Sequence, residues 1–304
     1  MQSKRSNGKY HIMMTVLVVS WGLEYAVAKD ALNSIDSITL ITIKYFLGSA
    51  VMAVILLATS QFRRINKRDI PTFILCAIFG QIMYFFCEYN AMKTIPVAII
   101  TVLLGFVPVM SVIVERFLYK HRASRFLVAG MLVCIFGIVL AIGADFSMLS
   151  GGKVVGYLFC MGAMLAWVCY NFITNSVCSK YSSTCVAFYQ MIIAALLTLP
   201  YSIFHLPDPS IFTGKIVMEL LYLGVISAGL GFLIEVIGIQ KLGPTPVGVY
   251  SNFMPVTTAF FGVILLGQHL TLLQYLGGAI VIVSGCLVIR EKARLDIQRE
   301  KGSL

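Results

Sequence analysis

The chain has 304 residues, of which 59% are hydrophobic and 12% are charged, and its formal net charge is +10 at pH 7. Soluble domains carry about 25% charged residues, so this composition excludes an ordinary soluble protein of this size. Apolar runs follow one another with short gaps, and each is long enough to cross a hydrocarbon layer of about 30 Å as a helix. The composition therefore predicts an all-α polytopic membrane protein.

Ten apolar spans can be placed as transmembrane helices in chain order. They cover residues 11–31, 37–60, 71–91, 95–118, 124–143, 154–174, 183–203, 216–240, 244–266 and 270–289. Lys44 weakens the second span, and Gly243 with Pro244 divides the eighth from the ninth because both residue types interrupt helices. The short connections leave no room for an extramembrane domain.

The basic residues are distributed unevenly between the loops. If both termini are cytoplasmic, eighteen of the 23 Lys and Arg residues lie in inside segments and four lie in outside loops. The positive-inside rule therefore predicts a multi-pass protein of the cell membrane with cytoplasmic N- and C-termini. The basic patches would face anionic lipid, so the net charge does not indicate nucleic-acid binding.

Residues suited to catalysis or to metal binding form no constellation in the sequence. The eight cysteines show no CxxC spacing, and the four histidines are scattered along the chain. We therefore expect no metal and no cofactor. Because His with Asp, paired Asp or an activated nucleophile is also missing, we do not expect an enzyme.

The chain contains an internal repeat. A shift of 147 residues places Glu88 on Glu235 and Pro108 on Pro255, and each pair occupies the same place in the helix order. Each half holds five spans, an odd number, so the two halves must enter the membrane from opposite sides. An inverted repeat of this kind is typical of secondary transporters that work by alternating access. The predicted divisions are a cytoplasmic N-terminus at 1–10, a first repeat at 11–143, a connecting loop at 144–153, a second repeat at 154–289 and a basic cytoplasmic tail at 290–304.

Trp21-Gly22 followed by Lys29 in the first span, with a proline midway along the fourth span of each half, resembles the EamA family of the drug/metabolite transporter superfamily. The resemblance covers about residues 10–290. It implies ten helices in two inverted five-helix halves that carry small metabolites, often exporting amino acids or related compounds. The common second-span Arg of the family is replaced here by Lys44 and, in the other half, by Gln190. Because of these departures, the substrates of better-known members are not assigned to this chain.

Glu24 lies near the middle of the first span, where a carboxylate is costly and indicates function. Trp21 shares its helical face and Tyr25 follows it, so the site suits an ammonium group through charge pairing and cation–π attraction. Glu24 is also a candidate proton carrier. The alternative is that Glu24 hydrogen-bonds Lys44 or a neighbouring Tyr and only fixes the packing. Further candidate cavity residues, each of which would also fit ordinary helix packing, are Gln81, Tyr84, Trp167, Tyr170, Asn171, Tyr250 and Asn252.

Glu88 and Glu235 lie near the ends of their spans, and the inverted repeat places them at mirrored depths. We expect them to polarise the two vestibules, or to pair with Lys93 and Lys241 as alternating gates. The alternative is an interfacial Glu that reaches water at a helix end. Pro108 and Pro255 are predicted helix hinges, because proline bends a helix and frees a carbonyl.

Together these features predict a secondary active transporter of a small amphiphilic metabolite, such as an amino acid, an amine or an organic cation. The expected partners are this small molecule, the lipid bilayer and, as a candidate coupling ion, a proton or another ion. A monomer and a homodimer both fit. The alternative is a non-transporting membrane scaffold or sensor.

Overall fold

The computed structural model describes residues 8–60, 62–107, 110, 113–114, 124–142, 153–178, 180–242, 250, 253–267 and 269–300. Ten main helices follow one another within these ranges. They are α1 (Gly8–Ala31), α2 (Ser37–Ala58), α3 (Ile70–Met92), α4 (Val97–Leu104), α5 (Arg125–Ile142), α6 (Lys153–Cys178), α7 (Ser183–Phe204), α8 (214–242), α9 (Met254–Leu266) and α10 (Leu272–Glu300). A short 3₁₀ turn, Pro209–Ile211, lies between α7 and α8.

Six helical segments are long and apolar enough to cross a membrane by length and composition. They are Gly8–Ala31, Ser37–Ala58, Ile70–Met92, Val154–Thr174, Ser183–Phe204 and Gly214–Glu235. Shorter apolar helices occupy Arg125–Gly137, Met254–Leu266 and Leu272–Val288. The predicted all-helical membrane fold is confirmed.

The helices extend beyond the predicted spans where the sequence turns polar. The first begins at Gly8, and the last continues through charged residues to Glu300, so much of the predicted tail is helical. Hydropathy detects only the apolar part of a helix, which explains the difference. Starts are defined by side-chain caps: Asp36 accepts from two backbone N–H groups of α2, and Ser182 accepts from one of α7.

Both halves contain a π-helical stretch at equivalent places. α3 is π-helical over Ala77–Met83, and α8 is π-helical over Tyr222–Gly231. The shift of 147 residues superimposes most of the two stretches. Since π-helix is rare and often marks functional sites, the repeat preserves a backbone feature as well as sequence positions.

The two halves pack closely against each other. α2 lies against α7 and α8, α1 lies against α8 and α9, α3 lies against α6, and α5 lies against α10. Close approach needs small residues: a Cβ at Gly224 of α8 would lie 2.4 Å from the Cβ of Leu47 on α2. The outer surface carries exposed apolar side chains such as Leu57, Phe204 and Leu272, as expected of helices that face lipid.

Candidate functional site

A buried ion pair lies at the centre of the molecule. Lys44 of α2, which is 0% exposed, binds the Glu24 carboxylate of α1, and Ser227 of α8 donates its hydroxyl to the other Glu24 oxygen. The Lys44 ammonium also lies 3.6 Å from the centre of the Phe85 ring and 3.4 Å from the Tyr89 hydroxyl. A buried ion pair is stable only when such additional contacts replace its contacts with water. Here residues of both halves supply these contacts.

Glu88 of α3 belongs to the same cluster. It is 3% exposed, and its Oε1 accepts hydrogen bonds of 2.6 Å from both Tyr25 and Tyr84. Tyr25 directly follows Glu24, so α1 connects the two carboxylates. The sequence placed Glu88 in a vestibule, whereas these contacts place it in the central cluster. Residue depth along a helix axis does not reveal which neighbouring side chains reach it, and this is why the expectation differed.

The charges of this cluster do not balance. With all three groups ionised, Glu24, Lys44 and Glu88 sum to one negative charge. Within the described residues, the hydrogen-bond partners of Glu88 are the two tyrosine hydroxyls, which carry no charge. A buried charge needs compensation, so the cluster can take a positively charged group or a proton.

Aromatic rings line the cluster on both sides. Trp21 donates its Nε1–H to the Ser227 carbonyl oxygen over 3.2 Å. The Trp167 ring of α6 lies 4.8 Å from the Tyr84 ring and 5.0 Å from the Tyr170 ring, measured between centroids. The predicted residues Trp21, Tyr25, Tyr84, Trp167 and Tyr170 are therefore brought together around the carboxylates.

The second half repeats the arrangement without its charges. Tyr170 donates its hydroxyl to Gln190 over 3.1 Å, and these two residues stand 20 apart in the chain, as Glu24 and Lys44 do. A neutral hydrogen bond thus occupies the position of the ion pair. By the same repeat, Gly231 and Asn171 correspond in sequence to Tyr84 and Tyr25, and neither residue type has a hydroxyl to offer the half-buried Glu235. The described carboxylate cluster is therefore built by the first half.

Two buried polar groups near the cluster are unsatisfied. Gln81 is 1% exposed, Tyr45 is 0% exposed, and neither amide atom of Gln81 nor the Tyr45 hydroxyl has a hydrogen-bond partner in the described part of the chain. Leaving such a group unpaired costs about 1–3 kcal/mol. Gln81 lies in the π-helical stretch of α3, one turn before Phe85 and on the same helix as Glu88. These groups can hydrogen-bond a ligand.

Sequence reasoning missed Tyr45, Phe85 and Ser227. The sequence offered a signal for two of them. Tyr45 directly follows Lys44, and Phe85 lies one helical turn after Gln81 on α3. Ser227 had none, since a single serine in an apolar span is usually a packing residue.

Other predicted site residues lie elsewhere. The Tyr250 hydroxyl is 2.9 Å from His11 Nδ1, and His11 precedes Glu24 by thirteen residues on α1, about 20 Å along the helix axis. Asn171 is exposed. Asn252 and Pro108 lie outside the described residues. Pro255 stands in the first turn of α9, where a missing N–H breaks no helical hydrogen bond, and its role as a hinge stays a prediction.

The predicted gate lysines do not pair with the predicted gate carboxylates in the described part of the structure. Lys93 approaches Asn90 at 3.4 Å, and Lys241 is exposed. Ion pairs between the halves are formed by other residues: Lys180 binds Asp69 at 2.7 Å, and Lys215 binds Asp30. Because successive spans alternate in direction, these two pairs lie on opposite faces. The gating role of Glu88, Glu235, Lys93 and Lys241 stays a prediction.

The Asp69–Lys180 pair is reinforced by the Tyr181 hydroxyl, which donates to Asp69 over 2.8 Å. The hydrogen bonds from Lys180 and Tyr181 lower the pKa of Asp69 below its usual range. The hydrogen bond to Asp69 and its negative charge in turn raise the pKa of Lys180. Both shifts favour the ionised pair.

The model of the EamA-like transporter family matches residues 8–143 and, a second time, residues 154–290. The chain belongs to the EamA-like transporter family. Its two matches coincide with the two halves and confirm the duplication. As a member of a transporter family, the chain is a multi-pass membrane transporter and not an enzyme, and its substrate is a small molecule.

Relatives extend over nearly the whole chain. An uncharacterized transporter of Archaeoglobus fulgidus is 22% identical over 287 residues, covering 93% of this chain and 100% of the relative. A Salmonella typhimurium protein named a probable amino-acid metabolite efflux pump is 24% identical and covers 92% of this chain and 96% of its own length. A protein of Escherichia coli with the same name is 22% identical, with coverages of 91% and 93%.

A solved structure, described only as the crystal structure of a protein, shares the fold of this EamA transporter. Its TM-score is 0.68 with 21% identity, and the alignment covers 95% of this chain and 100% of the solved one. At this identity the likeness shows the fold alone.

Proposed function

We propose that this EamA transporter is a secondary active carrier of a small amphiphilic metabolite with a positively charged group, namely an amino acid, an amine or an organic cation. The substrate binds between the two halves, and alternating access exposes the site to one face and then to the other. The observation that carries this proposal is the buried Glu24–Lys44–Glu88 cluster, which has one uncompensated negative charge when its groups are ionised.

Glu24 is the proposed charge partner of the substrate. In the structure Lys44 occupies the Glu24 carboxylate, so the ammonium group of a substrate competes with Lys44 for it. An α-amino acid can replace both partners of this ion pair at once. Its ammonium group binds the Glu24 carboxylate, and its own carboxylate binds Lys44. The rings of Trp21, Tyr84 and Trp167 favour a cation by cation–π attraction, and Gln81 supplies an amide for a polar group of the substrate.

A proton is the proposed coupling ion. When no cationic substrate is bound, protonation of Glu24 or Glu88 neutralises the cluster, so proton release and substrate uptake are linked. The names of the Salmonella and Escherichia relatives support export as the direction. The distribution of basic residues supports cytoplasmic termini in a cell membrane.

The proposal is tested first by ligand binding and then by flux. A thermal-shift screen of amino acids, polyamines and quaternary amines across pH should find compounds that raise the melting temperature, since a ligand that binds only the folded state stabilises it. Each such compound should then enter proteoliposomes faster than protein-free liposomes and should respond to an imposed pH gradient. Transport confined to anionic or uncharged solutes would contradict the proposal.

A further inference from the structure

A cavity lies away from the central cluster. It has a volume of about 760 Å³ and is formed by the α2–α3 loop and by the turn between α6 and α7. Its lining includes Arg63, Arg64, Arg68, Asp69, Lys180 and Tyr181. Four basic groups and one carboxylate give this cavity three net positive charges.

The cavity walls are held by contacts between the two halves. The backbone N–H of Asn66 donates to the Tyr181 hydroxyl over 3.0 Å, and Arg63 Nη1 donates to the Lys180 carbonyl oxygen over 3.2 Å. The Arg63 carbonyl oxygen accepts from the Tyr189 hydroxyl over 3.1 Å and from Cys185 Sγ over 3.2 Å. The loop is therefore fixed to α7, so the basic side chains extend from a defined backbone.

Donors remain free in this cavity. Asp69 is already bound by Lys180 and Tyr181. Within the described residues, the guanidinium groups of Arg64 and Arg68 form no hydrogen bond and no ion pair, and both residues are exposed. A guanidinium binds phosphate oxygens through two parallel N–H bonds. Guanidinium groups pair with carboxylates in the same way, but a phosphate group has additional oxygens that two free guanidinium groups can share.

The position of the cavity favours a lipid as the source of that phosphate. The loop joins the end of α2 at Ala58 to the start of α3 at Ile70, which places it at the edge of the hydrocarbon layer. Beside it, Phe62 is 52% exposed and packs against the rings of Phe188 and Tyr189, and Leu57 is 76% exposed. These apolar groups can contact acyl chains while the arginines contact the headgroup.

We propose that this cavity binds the phosphate headgroup of an anionic phospholipid and thereby links the two halves at this face. The headgroup contacts Arg64 and Arg68 of the first half and lies beside Lys180 of the second half, so one anion bridges them. Such a lipid stabilises the arrangement in which Lys180 binds Asp69 across the two halves. The inference is independent of the substrate, because none of these residues belongs to the central cluster.

The test measures lipid retained by the full-length protein. Protein from nanodiscs of mixed phosphatidylcholine and phosphatidylglycerol is released in the spectrometer, and native mass spectrometry counts the lipids still bound. The wild type should retain phosphatidylglycerol in preference to phosphatidylcholine. The double variant Arg64→Gln/Arg68→Gln should retain about tenfold less phosphatidylglycerol, since the loss of each basic residue near an anionic lipid weakens lipid binding several-fold.

The matched control removes two exposed charges from the same face, in Arg290→Gln/Arg294→Gln on α10, and should retain phosphatidylglycerol as the wild type does. Equal loss in both double variants would show that only general surface charge acts, and no loss in either would show that Arg64 and Arg68 do not hold the lipid; each result would overturn the proposal. Millimolar inorganic phosphate should not displace the lipid. Complete displacement by phosphate would identify a free-phosphate site and would contradict a lipid occupant.

Discussion

At the scale of single residues, the central cluster depends on Lys44. The sequence shows this lysine only as a charge within the second span, and its role depends on the packing of α1 and α2, which brings Glu24 to it. The structure contains the Glu24–Lys44 contact on which the alternative reading of Glu24 as a packing residue rests. That contact is compatible with a substrate role, because the pair can open when a substrate supplies replacement charges.

Removing one partner of this pair should be more damaging than removing both. Lys44→Met leaves Glu24 buried without its cation and should lower the free energy of unfolding by about 3–5 kcal/mol. The double variant Glu24→Gln/Lys44→Met should lose clearly less, because no uncompensated charge remains at that position. Unfolding in mixed detergent micelles measures both. A double variant that is less stable than Lys44→Met would mean that the pair does not interact as the structure indicates.

The two tyrosine hydroxyls on Glu88 can be tested by removing one oxygen atom. Tyr84→Phe takes away a hydrogen bond of 2.6 Å to a buried carboxylate and should lower the free energy of unfolding by about 1.5–3 kcal/mol. Tyr250→Phe is the matched control, because its hydroxyl contacts the exposed His11, and should change stability little. Equal effects of the two substitutions would argue against an ionised Glu88.

At the scale of helices, close packing between the halves depends on particular glycines. A Cβ at Gly224 would lie 2.4 Å from the Cβ of Leu47, which a side-chain rotation cannot relieve. Gly224→Ala should therefore push α8 from α2 and lower stability by about 1–3 kcal/mol. Gly214→Ala, at the start of the same helix, meets nothing within 4 Å and should leave the thermal midpoint nearly unchanged. Similar midpoints for both variants would contradict the packing described between α2 and α8.

The ion pair between Asp69 and Lys180 should keep the α2–α3 loop against α7. Asp69→Asn removes the charge and should speed alkylation of the buried Cys185, whose Sγ contacts the loop, several-fold as judged by peptide mass spectrometry. Asp208→Asn, in the α7–α8 connection, is the control and should not change the rate. An unchanged rate in Asp69→Asn would show that the ion pair does not hold the loop.

The same pair should tolerate mild acid. The lowered pKa of Asp69 means that its contribution is present above the ordinary aspartate range and is lost only as pH falls through the lower folded value. The raised pKa of Lys180 means that its contribution is lost only as pH rises beyond the ordinary lysine range. The amide of Asn66, which donates to Tyr181, should accordingly stay protected from hydrogen exchange until the pH falls below the usual aspartate range; release of the loop near neutral pH would contradict the assigned pKa directions.

At the scale of the whole molecule, the sequence predicted the membrane class, the ten spans and the two halves, because hydropathy and a shift of 147 residues are properties of the chain itself. It did not predict which helix of one half touches which helix of the other. Ser227 on Glu24, Gly231 beside Trp21 and Tyr84 beside Trp167 are contacts between distant segments, and no local pattern encodes them. For the same reason the sequence, which predicts a vestibule or gate role for Glu88, does not reveal its contacts with Tyr25 and Tyr84.

The most direct test of the account is pH-gradient-driven flux in proteoliposomes, using a cationic or zwitterionic compound that the thermal-shift screen identifies. The wild type should accumulate or release this compound according to the direction of the gradient, and Asp208→Asn should behave in the same way. Glu24→Gln should lose the response to the gradient, because the proposed charge partner of substrate and proton is gone. An unchanged pH-dependent flux in Glu24→Gln would contradict the role assigned to the central cluster.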